Sequence, residues 1–417
     1  MSPLPEPRAA LARLARRSAV RLARRASDTS GVPFLLVGGA VRDALLGLPS
    51  GDLDLAVPRA GAGAFAAALA RLAGTRVAQI GRAPRRILHV PLRRSSVDVW
   101  ETDGDPAADL LRRDFTVNAL ALAFPGARLV GPAGALDDLA GRRLRLPRAG
   151  VLLEDPLRVV RAARFLARLP GFRLDPGMRP ELAAAARDLE AVAPERRLAE
   201  LDAILAAGPA RAARALRRLE AWGGLAALLP GTDAAERRRG LAALGAVRRD
   251  APSALLRAVL LSGAPPDRAA AALDALRASR NDRRLAAALA ALPAPPARPD
   301  TTEAIRVLRR AAPFSREAIA FVEATGGRNG RALARLSDAV LTAPGALARL
   351  LHPRRPLAVH EVATILGAAG AELGRALERL DDALATGAVR GAGPARAFLS
   401  EGSPPRPPRG RRERLPV

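Results

Sequence analysis

The sequence predicts an α+β protein in which a head with a mixed β-sheet is followed by an all-α neck, body and tail. Short strand-like segments, bounded by Gly, Pro or charged residues, occur only between residue 31 and about residue 150. From Glu154 onward, Leu, Ala and Val recur at spacings of three and four residues with Arg on the opposite faces, which is typical of amphipathic helices. The 417 residues are enough for two or three domains with sizeable cores.

Five segments follow along the chain. They are a basic N-terminal helix or extension (1–30), a head with strands and helices (31–150), a helical neck (151–220), an all-α body (221–400) and a disordered basic tail rich in Pro and Arg (401–417). Strands are expected at 34–37, 53–57 and 96–100, with helices between them that include 64–73 and 116–123. Breaks in the helical part fall at Pro and Gly clusters.

The charge and the residue content exclude several classes of protein. All 67 basic residues are arginine, and with 41 acidic residues the net charge is +26, which indicates a polyanionic partner, nucleic acid before membrane, although genomic compositional bias also raises an arginine count. Without cysteine there is no disulfide framework and no thiolate site, and three histidines are too few for a histidine-rich metal cluster. We find neither an apolar run of membrane-spanning length nor a secretion signal, so a cytoplasmic protein is expected.

A glycine pair lies at the first predicted strand-to-helix turn. Gly38 and Gly39 follow the strand at 34–37, and Arg42 follows one turn later. Glycines let a ligand approach the backbone, and backbone N–H groups with a forked arginine cation suit phosphate oxygens. A glycine pair at such a turn also has a purely structural explanation.

Acidic residues follow in the next strands. Asp52 and Asp54 alternate with Leu53 and Leu55, so both acids point to one face of a strand while the leucines enter the core. Two neighbouring carboxylates repel each other unless a divalent cation lies between them, and hard oxygen ligands favour Mg²⁺. Asp98, in the strand at 96–100, would complete a set suited to two-metal phosphoryl transfer. The alternative is a solvated strand edge.

These residues, together with two later segments, resemble the motifs of a known family. Gly-Gly-Ala-Val-Arg-Asp at 38–43, followed within ten residues by Asp-Leu-Asp, resembles the nucleotidyltransferase superfamily with its DNA polymerase beta-like head, in the class II branch of tRNA nucleotidyltransferases and bacterial poly(A) polymerases. Residues 112–119 (Arg-Arg-Asp-Phe-Thr-Val-Asn-Ala) are similar to the motif with which that branch contacts ribose and triphosphate. Residues 154–165 resemble its base-reading neck helix.

The resemblance implies a role for each matching residue. The predicted triphosphate contacts are Gly38, Gly39, Arg42, Arg112 and Arg113; the ribose contacts are Asp114 and Asn118; the base-reading residues are Asp155 and Arg158, with Arg161 and Arg164 continuing the same helix side. In such a pair the carboxylate accepts from an amino group of the base, and the guanidinium donates to an unprotonated ring nitrogen. Cytosine and adenine offer both groups, so the pair selects them. The spacing permits simpler roles, a helix N-cap for Asp114 and for Asp155, and a surface salt bridge for Asp155 and Arg158.

The expected function is therefore Mg²⁺-dependent addition of CMP and AMP, from CTP and ATP, to the 3′ end of tRNA. CC addition, A addition and poly(A) synthesis stay open, because the segment from Trp100 to Asp109 is shorter than the flexible loop that many members of this family carry. A catalytically silent RNA-binding protein on the same scaffold is the alternative from another class. The sequence does not determine the oligomeric state.

Overall fold

Two units make up the chain, residues Met1–Val192 with Trp222–Gly224, and residues Ala193–Ala221 with Leu225–Val417. The structure, a computed structural model, describes residues 6–81, 86–93, 95–102, 106–248, 251–342 and 353–401. The predicted neck, 151–220, is thus divided between the two units. The predicted tail lies outside the described residues from residue 402 onward.

The described residues of the first unit contain nine strands. They are β1 (Phe34–Val37), β2 (Leu53–Pro58), β3 (Ala78–Ile80), β4 (Ile87–Pro91), β5 (Ser96–Thr102), β6 (Ala121–Phe124), β7 (Arg128–Val130), β8 (Arg143–Leu144) and β9 (Arg173–Leu174). Strands β1 to β7 form one sheet in the order β3-β4-β5-β2-β1-β6-β7, in which β2 and β5 are parallel and all other neighbours antiparallel. The mixed sheet of the predicted α+β head is confirmed.

Nine α-helices accompany these strands in the part of the unit that the structure describes. They are α1 (Pro7–Ala15), α2 (Ser18–Ser30), α3 (Gly39–Leu45), α4 (Arg59–Ala73), α5 (Pro106–Leu111), α6 (Ala135–Ala140), α7 (Val151–Glu154), α8 (Leu157–Arg168) and α9 (Arg179–Ala186). Helix α4 packs on β2, β4 and β5, and α2 packs on α4. Along the central strands alternate residues enter this side: Leu36, Leu53 and Leu55 are fully buried, and the Phe34 ring stacks on Phe124 at 4.7 Å between centroids.

The second unit is helical throughout its described residues. Its helices are α10 (Pro194–Leu205), α11 (Pro209–Ala221), α12 (Ala234–Ala246), α13 (Ser253–Leu260), α14 (Pro266–Ala275), α15 (Arg280–Ala290), α16 (Thr301–Arg310), α17 (Ser315–Thr325), α18 (Gly327–Thr342), α19 (Val359–Leu366), α20 (Gly370–Ala385) and α21 (Ala392–Glu401). Side-chain caps begin several of them; Asp233 and Glu236 form a reciprocal capping box at α12. No described helix is long and apolar enough to cross a bilayer.

One predicted helix is wrong. Residues 116–123 were expected to be helical, but only a 3₁₀ turn at Thr116–Asn118 forms, and strand β6 begins at Ala121. The turn is held by partners distant in sequence, since Thr116 N–H donates to the Arg145 carbonyl at 2.9 Å and its hydroxyl donates to Asp138 at 2.8 Å. Tertiary bonds therefore override the local helical pattern.

Candidate active site

The predicted acids gather on the face of the sheet opposite α4. Strands β2 and β5 run parallel with Asp54 beside Asp98, and on the far side of β5 His89 is the register partner of Asp98. Neighbouring residues in register point to the same face, so these three side chains form one row. Asp52 lies just before β2 and is exposed, whereas Asp54 and Asp98 are half-buried. The prediction that Leu53 and Leu55 enter the core is confirmed.

Each acid is held by a polar partner on β5 or β4. Asp52 Oδ1 accepts from the Ser96 backbone N–H at 2.8 Å, and Asp54 Oδ1 accepts from Trp100 Nε1 at 3.3 Å. Asp98 Oδ1 lies 2.6 Å from His89 Nδ1. These bonds fix one oxygen of every carboxylate, so the acids are oriented by the protein itself.

Burial raises the pKa of Asp54, and the charges of Asp98 and Asp52 raise it further, although the Trp100 hydrogen bond and the Arg113 charge oppose them. A cation between these carboxylates would relieve that repulsion, so the hard oxygen donors of Asp54 with Asp52 or Asp98 fit Mg²⁺. The described residues contain no group of three or more His, Asp or Glu side chains arranged for a metal ion. The case for a Mg²⁺ site therefore depends on two pairs of acids, Asp54 with Asp52 and Asp54 with Asp98.

Gly38 brings an arginine to the other side of Asp54. Its φ of 71° and ψ of −130° lie where side chains other than glycine are strained. A Cβ at this position would lie 3.1 Å from Arg113 Nη1 and 3.9 Å from Asp54 Oδ2. The glycine is therefore needed both for the turn and for the close approach of Arg113. A Cβ at Gly39 would lie 3.6 Å from Arg42 Nη2.

Arg113 is incompletely satisfied within the protein. Its Nη2 lies 3.6 Å from Asp109 Oδ2, and its buried Nε has no hydrogen-bond partner among the described residues. An arginine beside a glycine turn with unused hydrogen-bonding capacity is suited to an anionic ligand. The side chain of Arg112 is exposed, and its carbonyl accepts from Arg158 Nη2 at 2.6 Å.

Several predicted ligand contacts form a buried network instead of lining open space. Arg42 is 3% exposed; its Nε donates to Asp43 at 2.8 Å and its Nη1 donates to Asn118 Oδ1. Asn118 Nδ2 donates to Asp114 at 2.9 Å, and Arg161 Nε donates to the other Asp114 oxygen at 2.8 Å. In this structure the network joins α3, the 3₁₀ turn and α8. The predicted phosphate contact of Arg42 stays a prediction.

Asp114 and Asn118 meet as expected, but not on one helical face, because Phe115 between them is extended. Asp114 caps no helix by its side chain; it accepts from the Phe115 N–H at 2.9 Å. Burial raises the pKa of Asp114, yet the Arg161 charge and the hydrogen bonds from Asn118, Arg161 and Phe115 together hold it below the usual value.

The predicted base-reading pair lies where α8 begins. The helix begins at Leu157 after Pro156, one residue later than an Asp155 N-cap with Pro156 at N1 would require, and no side chain caps it. The Asp155 carbonyl accepts from the Arg158 N–H at 2.9 Å. Arg158 Nη1 and Nη2 donate to the carbonyls of Val151 and Arg112, both at 2.6 Å, and burial lowers the pKa of Arg158.

The two further arginines of α8 take different positions. Arg161 binds Asp114, and the Arg164 guanidinium carbon lies 4.9 Å from the centre of the Phe165 ring. Arg168 reaches Asp43 at 3.9 Å. Arg158 and Arg161 both bond back to the segment at 112–114.

Sequence reasoning missed three site residues: His89, Trp100 and Asp43. Strand alternation contained the signal for one of them, since Trp100 stands two residues after Asp98 and therefore shares its face. His89 and Asp43 had no local signal, because their partners are decided by strand pairing and by the burial of Arg42.

Comparison with known proteins agrees with this geometry. Residues 34–145 match the poly A polymerase head domain, and residues 171–236 match the probable RNA and SrmB-binding site of polymerase A. The chain is 40% identical over 220 residues to a multifunctional CCA protein of Xanthomonas campestris pv. campestris, covering 48% of this chain and 51% of that one. It is 42% identical over 200 residues to an A-adding tRNA nucleotidyltransferase of Deinococcus radiodurans, covering 47% and 44%.

A solved structure, the Thermotoga maritima CCA-adding enzyme complexed with tRNA, matches with a TM-score of 0.66 at 21% identity, over 96% of this chain and 100% of that one. The likeness shows a shared fold. The alignments with the two curated relatives span about half the length of those proteins.

A mixed sheet that presents paired carboxylates beside a glycine turn and an arginine, followed by a long helical body, defines the nucleotidyltransferase class. Within that class, residues 34–145 match the head domain of poly A polymerases, and the curated relatives that the chain resembles over about half its length are multifunctional CCA proteins and tRNA nucleotidyltransferases.

Proposed function

We propose that this protein is a tRNA nucleotidyltransferase that adds CMP and AMP from CTP and ATP to the 3′ end of tRNA without a template. The observation that carries the proposal is the convergence of Asp54, Arg113 and Gly38, with Asp98 on the adjoining strand. Transfer of a nucleotidyl group from a triphosphate requires negative charge that can hold metal ions on one side of the reacting phosphate and a cation on its other side. The acids and the Arg113 guanidinium provide these two groups.

The roles follow from the positions. Asp52 and Asp54 would hold Mg²⁺, with Asp98 as a third acid. Two divalent cations bound there would lower the pKa of an attacking 3′-hydroxyl and neutralise the triphosphate. Arg113 faces the triphosphate across Gly38, and Gly39, Arg42 and Arg112 complete that side. Asp114 and Asn118 orient the ribose. All of these assignments are proposals; the geometry supports those of Asp54 and Arg113, whereas Arg42, Asp114 and Asn118 are buried against one another in this structure.

Base selection is assigned to Asp155 and Arg158. The bonds of Arg158 to two backbone carbonyls hold its guanidinium between α7 and the segment that carries Arg112. A guanidinium fixed in this way is pre-organised, so that a wrong base leaves a buried charge unpaired. Arg161 and Arg164 support the same face of α8.

The tRNA would be bound by the arginine-rich helices. The net charge of +26 provides for phosphate contacts that position RNA without reading its sequence. A cytoplasmic location stays a prediction that suits a tRNA substrate.

CC addition, A addition and poly(A) synthesis are narrower versions of the same chemistry. One similar relative bears the name of a multifunctional CCA protein and another that of an A-adding enzyme. The short segment from Trp100 to Asp109 bears on this choice, and its residues 103–105 lie outside the described residues. The silent RNA-binding alternative does not explain why Asp52, Asp54 and Asp98 lie close enough to repel one another, because such a protein needs no bound cation.

The experiment that tests the proposal is extension, at single-nucleotide resolution, of tRNAs that end before the CCA, after one C and after two. Each is incubated with Mg²⁺ and CTP, ATP or both. Completion of CCA followed by arrest is the expected result. Arrest after CC, addition of A alone, or long A tails would select one of the narrower activities. No extension, with Mg²⁺-independent RNA binding retained, would select the silent binder.

Replacing Asp155 with asparagine is expected to change base choice. The amide can donate to the ketone of uracil, where the carboxylate could only accept from an amino group. We expect kcat/KM for CTP to fall about tenfold or more while UTP incorporation appears. Single-turnover extension with each of the four nucleoside triphosphates measures both.

The matched control is Asp188→Asn, because it makes the same substitution at an exposed position of the same unit. It should keep the wild-type ratio of CTP to UTP. An Asp155→Asn protein with that same ratio would contradict the base-reading role.

A further inference from the structure

One exposed aromatic side chain adjoins the acids of the site and has no role in the function proposed above. Trp100 is 37% exposed, and it is the one aromatic among the large exposed hydrophobic side chains of the described residues. An exposed indole offers a flat face on which a nucleobase can stack. Its Nε1 donates to Asp54 Oδ1 at 3.3 Å, which holds the ring at the edge of the site.

The two oxygens of Asp54 separate the site into two sides. Oδ2 faces the Gly38 turn and Arg113, which form the triphosphate side. Oδ1 faces Trp100, and Asp98 lies on the same strand as Trp100. In nucleotidyl transfer the metal-holding acids lie between the incoming nucleotide and the attacking hydroxyl. The Trp100 side is therefore the side of the acceptor.

The indole has a small residue as its neighbour on β2. Ala56 is the register partner of Trp100 and is itself buried. Ala56 lines a cavity of about 620 Å³ on this face of the sheet, together with Leu35, Ala123 and Thr102. Arg128, also in the lining, adds a cation for a backbone phosphate.

We infer that Trp100 is the platform on which a terminal nucleobase of the RNA acceptor stacks, so that the 3′-hydroxyl is delivered to the Asp98 side of Asp54. The inference rests on the proposed function and adds to it the position of the acceptor strand. Stacking on an indole tolerates any base, which suits an acceptor whose last nucleotide changes after each addition. Trp100 is a positioning residue here, and the acids and arginines keep the roles already assigned.

The chain offers a direct spectroscopic test, because it contains two tryptophans. In Trp222→Phe the emission comes from Trp100, and in Trp100→Phe it comes from Trp222. A tRNA ending in CC, added without nucleotides, should quench Trp222→Phe emission by roughly half or more and leave Trp100→Phe nearly unchanged. CTP or ATP alone should quench neither variant.

Kinetics provide the second readout. Trp100→Leu and Trp100→Phe both lose the hydrogen bond to Asp54, so they differ only in the ring. The KM for acceptor tRNA should be roughly tenfold higher in Trp100→Leu than in Trp100→Phe, with the same KM for CTP and ATP in the two variants. Trp100→Phe keeps a ring and should restore most of the affinity for acceptor. Unequal KM effects of this kind do not arise from a general loss of folding.

The outcomes separate the inference from the function. Acceptor tRNA that binds in a mobility-shift assay without quenching Trp100 overturns stacking and leaves the transferase proposal standing. Quenching by CTP or ATP alone overturns the acceptor assignment. Absence of both binding and extension overturns the proposed function, and the inference with it.

Discussion

Replacing Asp54 with asparagine is expected to lower the rate of nucleotide addition by at least about a thousandfold, which corresponds to roughly 4 kcal/mol of transition-state stabilisation. Asp54 is the acid that adjoins all the other parts of the site: Arg113 and Gly38 on one side, Trp100 and Asp98 on the other. An amide has the same shape but lacks the charge that a divalent cation requires. Single-turnover extension of tRNA at saturating CTP and ATP measures the loss.

The fold should survive this change. Burial raises the pKa of Asp54, so its charge costs free energy in the folded state, and removing it is not expected to lower stability. Tryptophan fluorescence in urea checks this, because Trp100 and Trp222 both belong to the first unit. Asp28→Asn removes a charge from an exposed position on α2 and should retain full activity. An Asp54→Asn protein as active as this control would refute the metal assignment.

Replacing Asp114 with asparagine is expected to destabilise the first unit by about 2 kcal/mol, less than the 3–5 kcal/mol typical of a fully buried pair, because Arg161 is partly exposed. Asp114 is buried and accepts from Asn118, Arg161 and the Phe115 N–H. The loss of its charge weakens three bonds together and extends to Arg42 through Asn118. Urea unfolding at pH 7, followed by tryptophan fluorescence, measures the difference.

The effect should depend on pH with a definite sign. The pKa of Asp114 is lower in the folded than in the unfolded chain, so the ionised carboxylate contributes stability that is complete above about pH 4 and lost as the pH falls through its native pKa. The gap between wild type and Asp114→Asn should therefore narrow from pH 5 to pH 3. Asp137→Asn, at an exposed position of α6, should show no gap at any pH. A gap that persists at pH 3 would contradict the ionic origin.

The sequence contained enough for the outline of the head. The strands expected at 34–37, 53–57 and 96–100 begin where they were predicted, since each is a short apolar or alternating run bounded by turn residues. Local pattern failed at 116–123, where the turn and β6 depend on bonds to Arg145 and Asp138 and on pairing with β1. The short strands β3 and β7 were not predicted, because a run of three residues is too short to show the two-residue alternation of a strand.

The motifs alone determined the family, the glycine turn and the acids of β2, because those features are local: a turn needs a particular φ, and a strand alternates its faces. Tertiary structure alone decided which of these residues act together. Asp98 and Trp100 lie beside Asp54 because β5 pairs in parallel with β2, and Arg113 lies close to the turn beside Asp54 because Gly38 has no side chain. Arg42, predicted to contact phosphate, is buried against Asp43 and Asn118 in this structure. Strand register and burial are properties of the whole chain, and no single segment of sequence encodes them.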